Sequence, residues 1–190
     1  MQNPVYICAA KRTAIGSFQG ALADLNAPEL GAKLIEDIIK DLDPSSIDEV
    51  ILGSVLTAGQ GQAPARQAAI KGGLPNSVQA LTVNKVCSSG LKAVMLAANS
   101  ILTGQAEAVI AGGMESMSNA PYLVPSLREG ARLGNTTAID SIVHDGLWDV
   151  YNDFHMGSAA ELCAKNYKIS REEQDEFAIK SYKRAQEAIE

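Results

Sequence analysis

Cysteine is scarce in this chain: three residues in 190, at Cys8, Cys87 and Cys163. They are odd in number, sit in dissimilar contexts and form no C-x-x-C pair. That argues against a disulfide framework and a zinc site, and for a reducing compartment. A basic cluster is also missing. The 16 Lys and Arg are dispersed among 22 Asp and Glu, and a formal net charge of −6 gives no footprint for nucleic acid. No basic n-region followed by an apolar h-region is visible, because Met1-Gln2-Asn3-Pro4 leads straight into an apolar run. No stretch reads as a transmembrane segment, so the expected location is the cytoplasm. Internal repeats and low-complexity tracts are absent too. What the chain does have is 46% hydrophobic residues over 190 positions, enough for one substantial core.

Strand-like and helix-like segments alternate. Val5 to Ala9 is a short apolar run compatible with a buried strand. A helix is expected over 28–42, with Pro28 in its first turn and Leu30, Leu34, Ile35, Ile38, Ile39 and Leu42 in one stripe that covers a sheet. Val50-Ile51-Leu52 begins a second strand, and an Ala-rich helix over 63–71 closes at Gly72-Gly73. Gln79 to Val83 reads as a third strand. The helix that follows, over 88–103, is apolar nearly all round, through Leu91, Val94, Met95, Leu96, Ile101 and Leu102. Such a helix is expected to be buried. Gly104 stops it, and Ala108 to Ala111 makes another strand. The alternation argues for a mostly parallel or mixed α/β sheet. From residue 114 to 150 no strand period is visible, and loop with short helices is expected. Ser170 and Glu173 make a capping box for a last helix through Phe177, Tyr182 and Ala185, which is still running at Glu190 without a glycine stop.

Cys87 lies where the third strand hands over to the all-apolar helix, within Val83-Asn84-Lys85-Val86-Cys87-Ser88-Ser89-Gly90-Leu91. Unpaired N–H groups and the helix dipole stabilise negative charge there, and the thiolate is the nucleophilic form of cysteine. By position alone, a nucleophile and a buried structural cysteine fit equally well. Ser88, Ser89 and Gly90 are small enough to let the backbone approach a ligand, and they also suit an ordinary helix start.

The segment Asn84 to Ala93 closely resembles the nucleophile segment of the thiolases. So do Val5-Tyr6-Ile7 to Arg12-Thr13-Ala14-Ile15-Gly16, Ala111-Gly112-Gly113-Met114-Glu115-Ser116-Met117-Ser118, and His155-Met156-Gly157-Ser158-Ala159-Ala160-Glu161. Four ordered segments span the chain. Asp145-Gly146-Leu147 and Asp149-Val150-Tyr151-Asn152 look most like the short-chain, mitochondrial-type members. The resemblance implies a layered α-β-α-β-α thiolase fold, of which residues 1–118 would be the first, nucleophile-bearing domain. Residues 119–190 would be part of an inserted loop domain that includes a tetramer-assembly segment. The second domain has no counterpart here, so the chain is expected to be a thiolase half, inactive alone.

The activity the resemblance implies is condensation of two acetyl-CoA to acetoacetyl-CoA and CoA, and the reverse thiolysis, through an acetyl-Cys87 intermediate. The Cys87 N–H would serve in the oxyanion hole. His155 and Met156 would line the acyl pocket. Tyr182 would lie near CoA and a possible potassium ion. Gly112, Gly113 and Glu115 would shape a turn after the strand. No tightly bound cofactor is implied, and coenzyme A enters as the thioester substrate. The acidic balance looks wrong for CoA phosphates, although only local charge bears on that. The partner expected is a further copy of the chain, as dimer or tetramer. The activating histidine and the second cysteine would come from the missing half, since His144 in a loop, Cys8 and Cys163 read as inert structural residues. Alternatives are a long-chain 3-ketoacyl-CoA thiolase, a β-ketoacyl carrier-protein synthase, and a non-catalytic half that only folds, dimerises or binds.

Overall fold

Alternate residues of the central strand β1 (Glu49–Gly53) face opposite layers, and this places the core. Val50 and Leu52 turn to one side, where they pack with α1 (Ala27–Ile38) and α2 (Pro64–Lys71). Ile51 turns to the other and meets Ala93 and Ala97 of α3 (Ser89–Leu102). Period-2 alternation on a buried strand thus builds three layers, helix–sheet–helix. The computed structural model describes residues 4–189, so the readings at Met1 to Asn3 and at Glu190 lie outside the described residues.

The sheet has the order β2-β1-β3, with β2 (Gln79–Val83) and β3 (Val109–Gly113) both parallel to β1. Each parallel step crosses through a helix, as parallel pairing requires. The result is the α/β class expected from the alternation, and it supplies three layers of the α-β-α-β-α arrangement. Asn26 caps α1 by accepting from the Glu29 N–H at 3.0 Å, and Glu29 reaches back to the Asn26 N–H at 3.0 Å. The buried seam of α1 is Ala27, Pro28, Gly31, Ala32 and Ile35, while Leu30, Leu34 and Ile38 are only partly covered. Small residues win the seam because α2 comes close: a Cβ on Gly31 would stand 3.2 Å from the Ala68 Cβ.

Two expectations need correction. Residues 5–9 form no strand. Tyr6 and Ile7 are exposed, and no ladder partner for them exists among the described residues. Apolar β-formers become a strand only beside an edge that takes their N–H and C=O groups. Helix α1 ends at Ile38, short of residue 42, with Leu42 exposed. Pro44 forces the preceding Asp43 into extended backbone, and the chain needs the intervening turn to reach it. Helix α3 buries one face, at Ser89, Ala93 and Ala97, and leaves Leu91, Val94, Met95 and Leu102 exposed, as its all-round apolar pattern predicts for a helix with only one of its two sides covered.

After β3 the chain makes short turns and four two-residue strands, too short for any period to announce them. Tyr122–Leu123 (β4) pairs antiparallel with Ile139–Asp140 (β5), and Trp148–Asp149 (β6) with Phe154–His155 (β7). The chain divides into two compact units, 1–146 and 147–190. In the second unit, β6 and β7 precede α4 (Met156–Tyr167) and α5 (Arg171–Ile189), and neither helix buries a residue among those described. The capping box at α5 is present. Ser170 Oγ accepts from the Glu173 N–H at 3.2 Å, and Glu173 accepts from the Ser170 N–H at 2.7 Å. Among the described residues no helix is long and apolar enough to cross a membrane.

Candidate active site at the β2–α3 turn

Strand β2 ends at Val83, and four residues later α3 is about to begin. The reversal is made at Val86, whose φ of 48° lies in the left-handed region. A β-branched side chain is strained there, and such strain persists only where the surroundings over-determine the backbone. Here they do. Asn84 Oδ1 accepts from the Val86 N–H at 2.9 Å. Lys85 O accepts from the Ser88 N–H, and Val86 O from the Ser89 N–H, each at 3.1 Å. The Ser89 hydroxyl, buried beneath the turn, accepts from the Lys85 N–H at 2.8 Å and donates to Val86 O at 2.6 Å.

Glycine brings this turn down onto the sheet. A Cβ on Gly53, at the end of β1, would stand 2.6 Å from both the Ser89 carbonyl carbon and the Ser89 Cβ. A Cβ on Gly113, at the end of β3, would lie 3.4 Å from the Gly90 Cα. Strand ends and helix start therefore meet backbone to backbone, at the carboxyl edge of a parallel sheet where ligands commonly bind. The Glu115 carboxylate fastens the neighbouring loop, accepting from the N–H groups of Val55 at 2.8 Å and Leu56 at 3.1 Å. This fits the turn-shaping part read for Gly112, Gly113 and Glu115 in the sequence.

Cys87 itself is exposed at the head of α3. Cys8 and Cys163 are exposed as well. Cys8 falls in the run that forms no strand, and Cys163 on a helix that buries no face. Ser88 is the helix-capping position but makes no side-chain cap, whereas Ser89 carries the hydrogen bonds and Gly90 the close approach.

His155, Met156 and Tyr182 lie in the second unit. His155 caps α4, its Nδ1 accepting from the Gly157 N–H at 2.9 Å, which leaves the proton of the neutral ring on Nε2. Met156 opens the same helix, half-exposed, and Tyr182 is exposed on α5. In the Asp149–Asn152 segment the Asn152 amide, with the Tyr151 N–H, holds the Asp149 carboxyl below its usual range. His144 lies in the 142–147 turn with its Nδ1 2.8 Å from Asp145 Oδ1, both exposed. Cys87 and its turn belong to the first unit, and His155, Met156 and Tyr182 to the second. Among the described residues no three His, Cys, Asp or Glu gather as a metal site.

Sequence reasoning missed Val86 and Asn84, and undervalued the Ser89 hydroxyl. An Asn two residues before a strained position is a recognisable Asx-turn signal. Nothing in the sequence marks a valine as left-handed.

The thiolase N-terminal domain family matches residues 5–190. The chain is 57% identical over 188 residues to an acetyl-CoA acetyltransferase of Pseudomonas aeruginosa, covering 98% of this chain and 48% of the relative. It is 56% identical over 186 residues to an acetyl-CoA acetyltransferase of Cupriavidus necator, covering 97% and 47%. A probable acetyl-CoA acyltransferase of Staphylococcus aureus is 58% identical over 183 residues, covering 95% and 47%. The chain spans about half the length of the curated relatives it matches.

Proposed function

The chain belongs to the thiolase family, and on that premise we propose that Cys87 is the acyl-carrying nucleophile of an acetyl-CoA C-acetyltransferase. The observation that carries the proposal is the β2–α3 turn, which presents an exposed thiol at a helix N-terminus on a backbone held in the left-handed region. The Cys87 thiolate attacks the acetyl carbonyl of acetyl-CoA, and the C–S bond to coenzyme A breaks. Acetyl-Cys87 and free CoA result. The α-carbon of a second acetyl-CoA gives up a proton, and its carbanion attacks the acetyl carbon. The thiolate of Cys87 departs, and acetoacetyl-CoA forms. In the first tetrahedral adduct the negative oxygen needs donors, and the Cys87 N–H is the donor this chain offers at the helix head.

The proton-transfer partners of the reaction belong, by family resemblance, to the half of the protein beyond this chain. Its activity is accordingly that of the complete, two-half protein. His155 and Met156 are proposed as acyl-pocket residues, with Nε2–H the ring group left free to face a substrate. A potassium ion near Tyr182 would take its remaining ligands from residues beyond this chain. Tyr182 offers a single exposed hydroxyl, and no step is routed through an ion. Assembly as a homo-oligomer, work in lipid metabolism and a cytoplasmic location belong to the same proposal.

Radiolabelled acetyl-CoA tests it. The complete protein should trap one acetyl group on the peptide containing Cys87, and Cys87→Ser should trap none while its circular dichroism is unchanged. Label persisting on that variant would place the nucleophile elsewhere. Some relatives carry the broader name acyltransferase, so the rate with acetoacetyl-CoA should be compared with that for a long 3-ketoacyl-CoA. Faster turnover of the long substrate would overturn the short-chain assignment.

A further inference from the structure

We propose that Ser89 is a positioning residue for the reaction at Cys87, its hydroxyl clasping Val86 in the left-handed conformation that sets the direction of the Cys87 N–H. The proposal rests on the thiolase reading of Cys87 and adds to it the device that holds the oxyanion donor.

Two peptide planes flank Val86, and between them they carry four polar groups. In the plane between Lys85 and Val86, the carbonyl accepts from the Ser88 N–H and the N–H donates to Asn84 Oδ1. In the plane between Val86 and Cys87, the carbonyl accepts from both the N–H and the hydroxyl of Ser89. Among the described residues the fourth group, the Cys87 N–H, is not among the donors of the turn. Three groups are pinned and the one left over is the group the chemistry needs. Because a peptide plane is rigid, fixing its carbonyl fixes its N–H, which points the opposite way. The Ser89 hydroxyl holds that carbonyl at 2.6 Å, the shortest of these contacts, and closes the other side of the turn through the Lys85 N–H.

The clasp has something to work against. Val86 at φ 48° would relax to an ordinary conformation if released, since a β-branched residue disfavours the left-handed region. Relaxation rotates the plane between Val86 and Cys87 and swings the N–H away from the oxyanion. Ser89 is 4% exposed and half of Val86 is open to solvent, so the clasp is built into the fold while the residue it restrains is not packed in place. The burial also explains why residue 89 is small: it sits against Gly53, with no room for a longer side chain.

The test is a double-mutant cycle in the complete protein, on Ser89→Ala and Val86→Gly, read by single-turnover formation of acetyl-Cys87 from labelled acetyl-CoA. Ser89→Ala is expected to slow acetyl transfer by about tenfold or more, with KM for acetyl-CoA changed less than about threefold, because the lost interaction acts in the transition state. Glycine accepts a left-handed φ without a clasp. In the V86G background the S89A loss is therefore expected to shrink below about threefold. Alkylation of Cys87 by iodoacetamide, which develops no oxyanion, should change less than about threefold in S89A. Equal S89A losses in both backgrounds, no loss with Val86 in place, or a general acceleration of alkylation at all three cysteines each overturn the proposal. Should S89A fail to fold, Asn84→Ala at an exposed position removes the acceptor of the Val86 N–H, and the same cycle with V86G applies with the same criteria. A flat cycle in a protein whose C87S variant takes no label sinks the clasp alone. Label on C87S sinks the nucleophile reading itself.

Discussion

Helix α3 leaves Leu91, Val94, Met95 and Leu102 at 67, 42, 52 and 42% exposure, on the face away from the sheet. Together they amount to roughly two fully exposed large side chains, or about 3 to 6 kcal/mol of uncovered apolar surface. Set against a typical domain stability of about 5 to 15 kcal/mol, that is a strong drive to find a cover. The double substitution Leu91→Glu with Met95→Glu removes much of it. Both sites are exposed, the buried Ala93 and Ala97 are untouched, and a carboxylate at position 91 suits the first turn of a helix. The 190-residue chain alone should self-associate in size-exclusion chromatography with light scattering, and the double variant should run as a monomer with an unchanged urea midpoint. Co-expressed with the remaining half of the protein, the unsubstituted chain should co-purify with it and the variant should not. A well-behaved monomeric chain without the substitutions, or a variant that still pairs with the second half, would refute the view that this face is built to be covered.

The strands and helices that carry the core were legible because their patterns are long enough to count. Val50-Ile51-Leu52, Gln79 to Val83 and the 63–71 and 88–103 helices emerge within a few residues of where they were read. The residues 5–9 run failed because a strand is a property of two segments, and sequence shows only one of them. The all-apolar pattern of α3 predicts a helix covered on two sides, of which this chain covers one, and its exposed face follows from that. At the site, Cys87 was marked by its place before a small-residue helix start and by the family segment around it. Val86 was illegible because a valine in left-handed backbone has no signature of its own, although the hydrogen bonds that hold it, to Asn84 and Ser89, are local. The α1 seam shows a further limit. A stripe of large apolar residues predicts which side is buried, but Gly31 and Ala32 occupy the closest contact, because helix approach selects for small residues.

Three further outcomes follow from particular contacts. Ser170→Ala should weaken α5 by about 1 kcal/mol through loss of the cap to Glu173, seen as faster amide exchange in its first turn. Asp48 accepts from the N–H groups of Ala108 and Glu107, which hold its carboxyl below the usual range. A depressed native value gives stability that is complete above the unfolded value of about 3.9 and is lost as pH falls through the lower native one. Asp48→Asn should therefore flatten the acid limb of the stability profile, and an acid limb identical to that of the unsubstituted protein would remove Asp48 from it. The most discriminating pair is Gly53→Ala against Gly112→Ala, two glycines one strand apart. At Gly53 the new methyl would meet the Ser89 carbonyl carbon and Cβ at 2.6 Å and the Gly90 nitrogen at 2.7 Å, which is helix backbone that cannot swing aside. At Gly112 the nearest atom is the Leu52 Cδ2 at 4.0 Å. Gly53→Ala should cost about 1 to 3 kcal/mol or more in urea unfolding of the complete protein, whereas Gly112→Ala should be nearly neutral. Because the collision lifts the head of α3 from the sheet, only Gly53→Ala should also slow acetylation of Cys87. Equal stabilities and equal acetylation rates for the two variants would show that the strand ends and the helix start do not need their close approach.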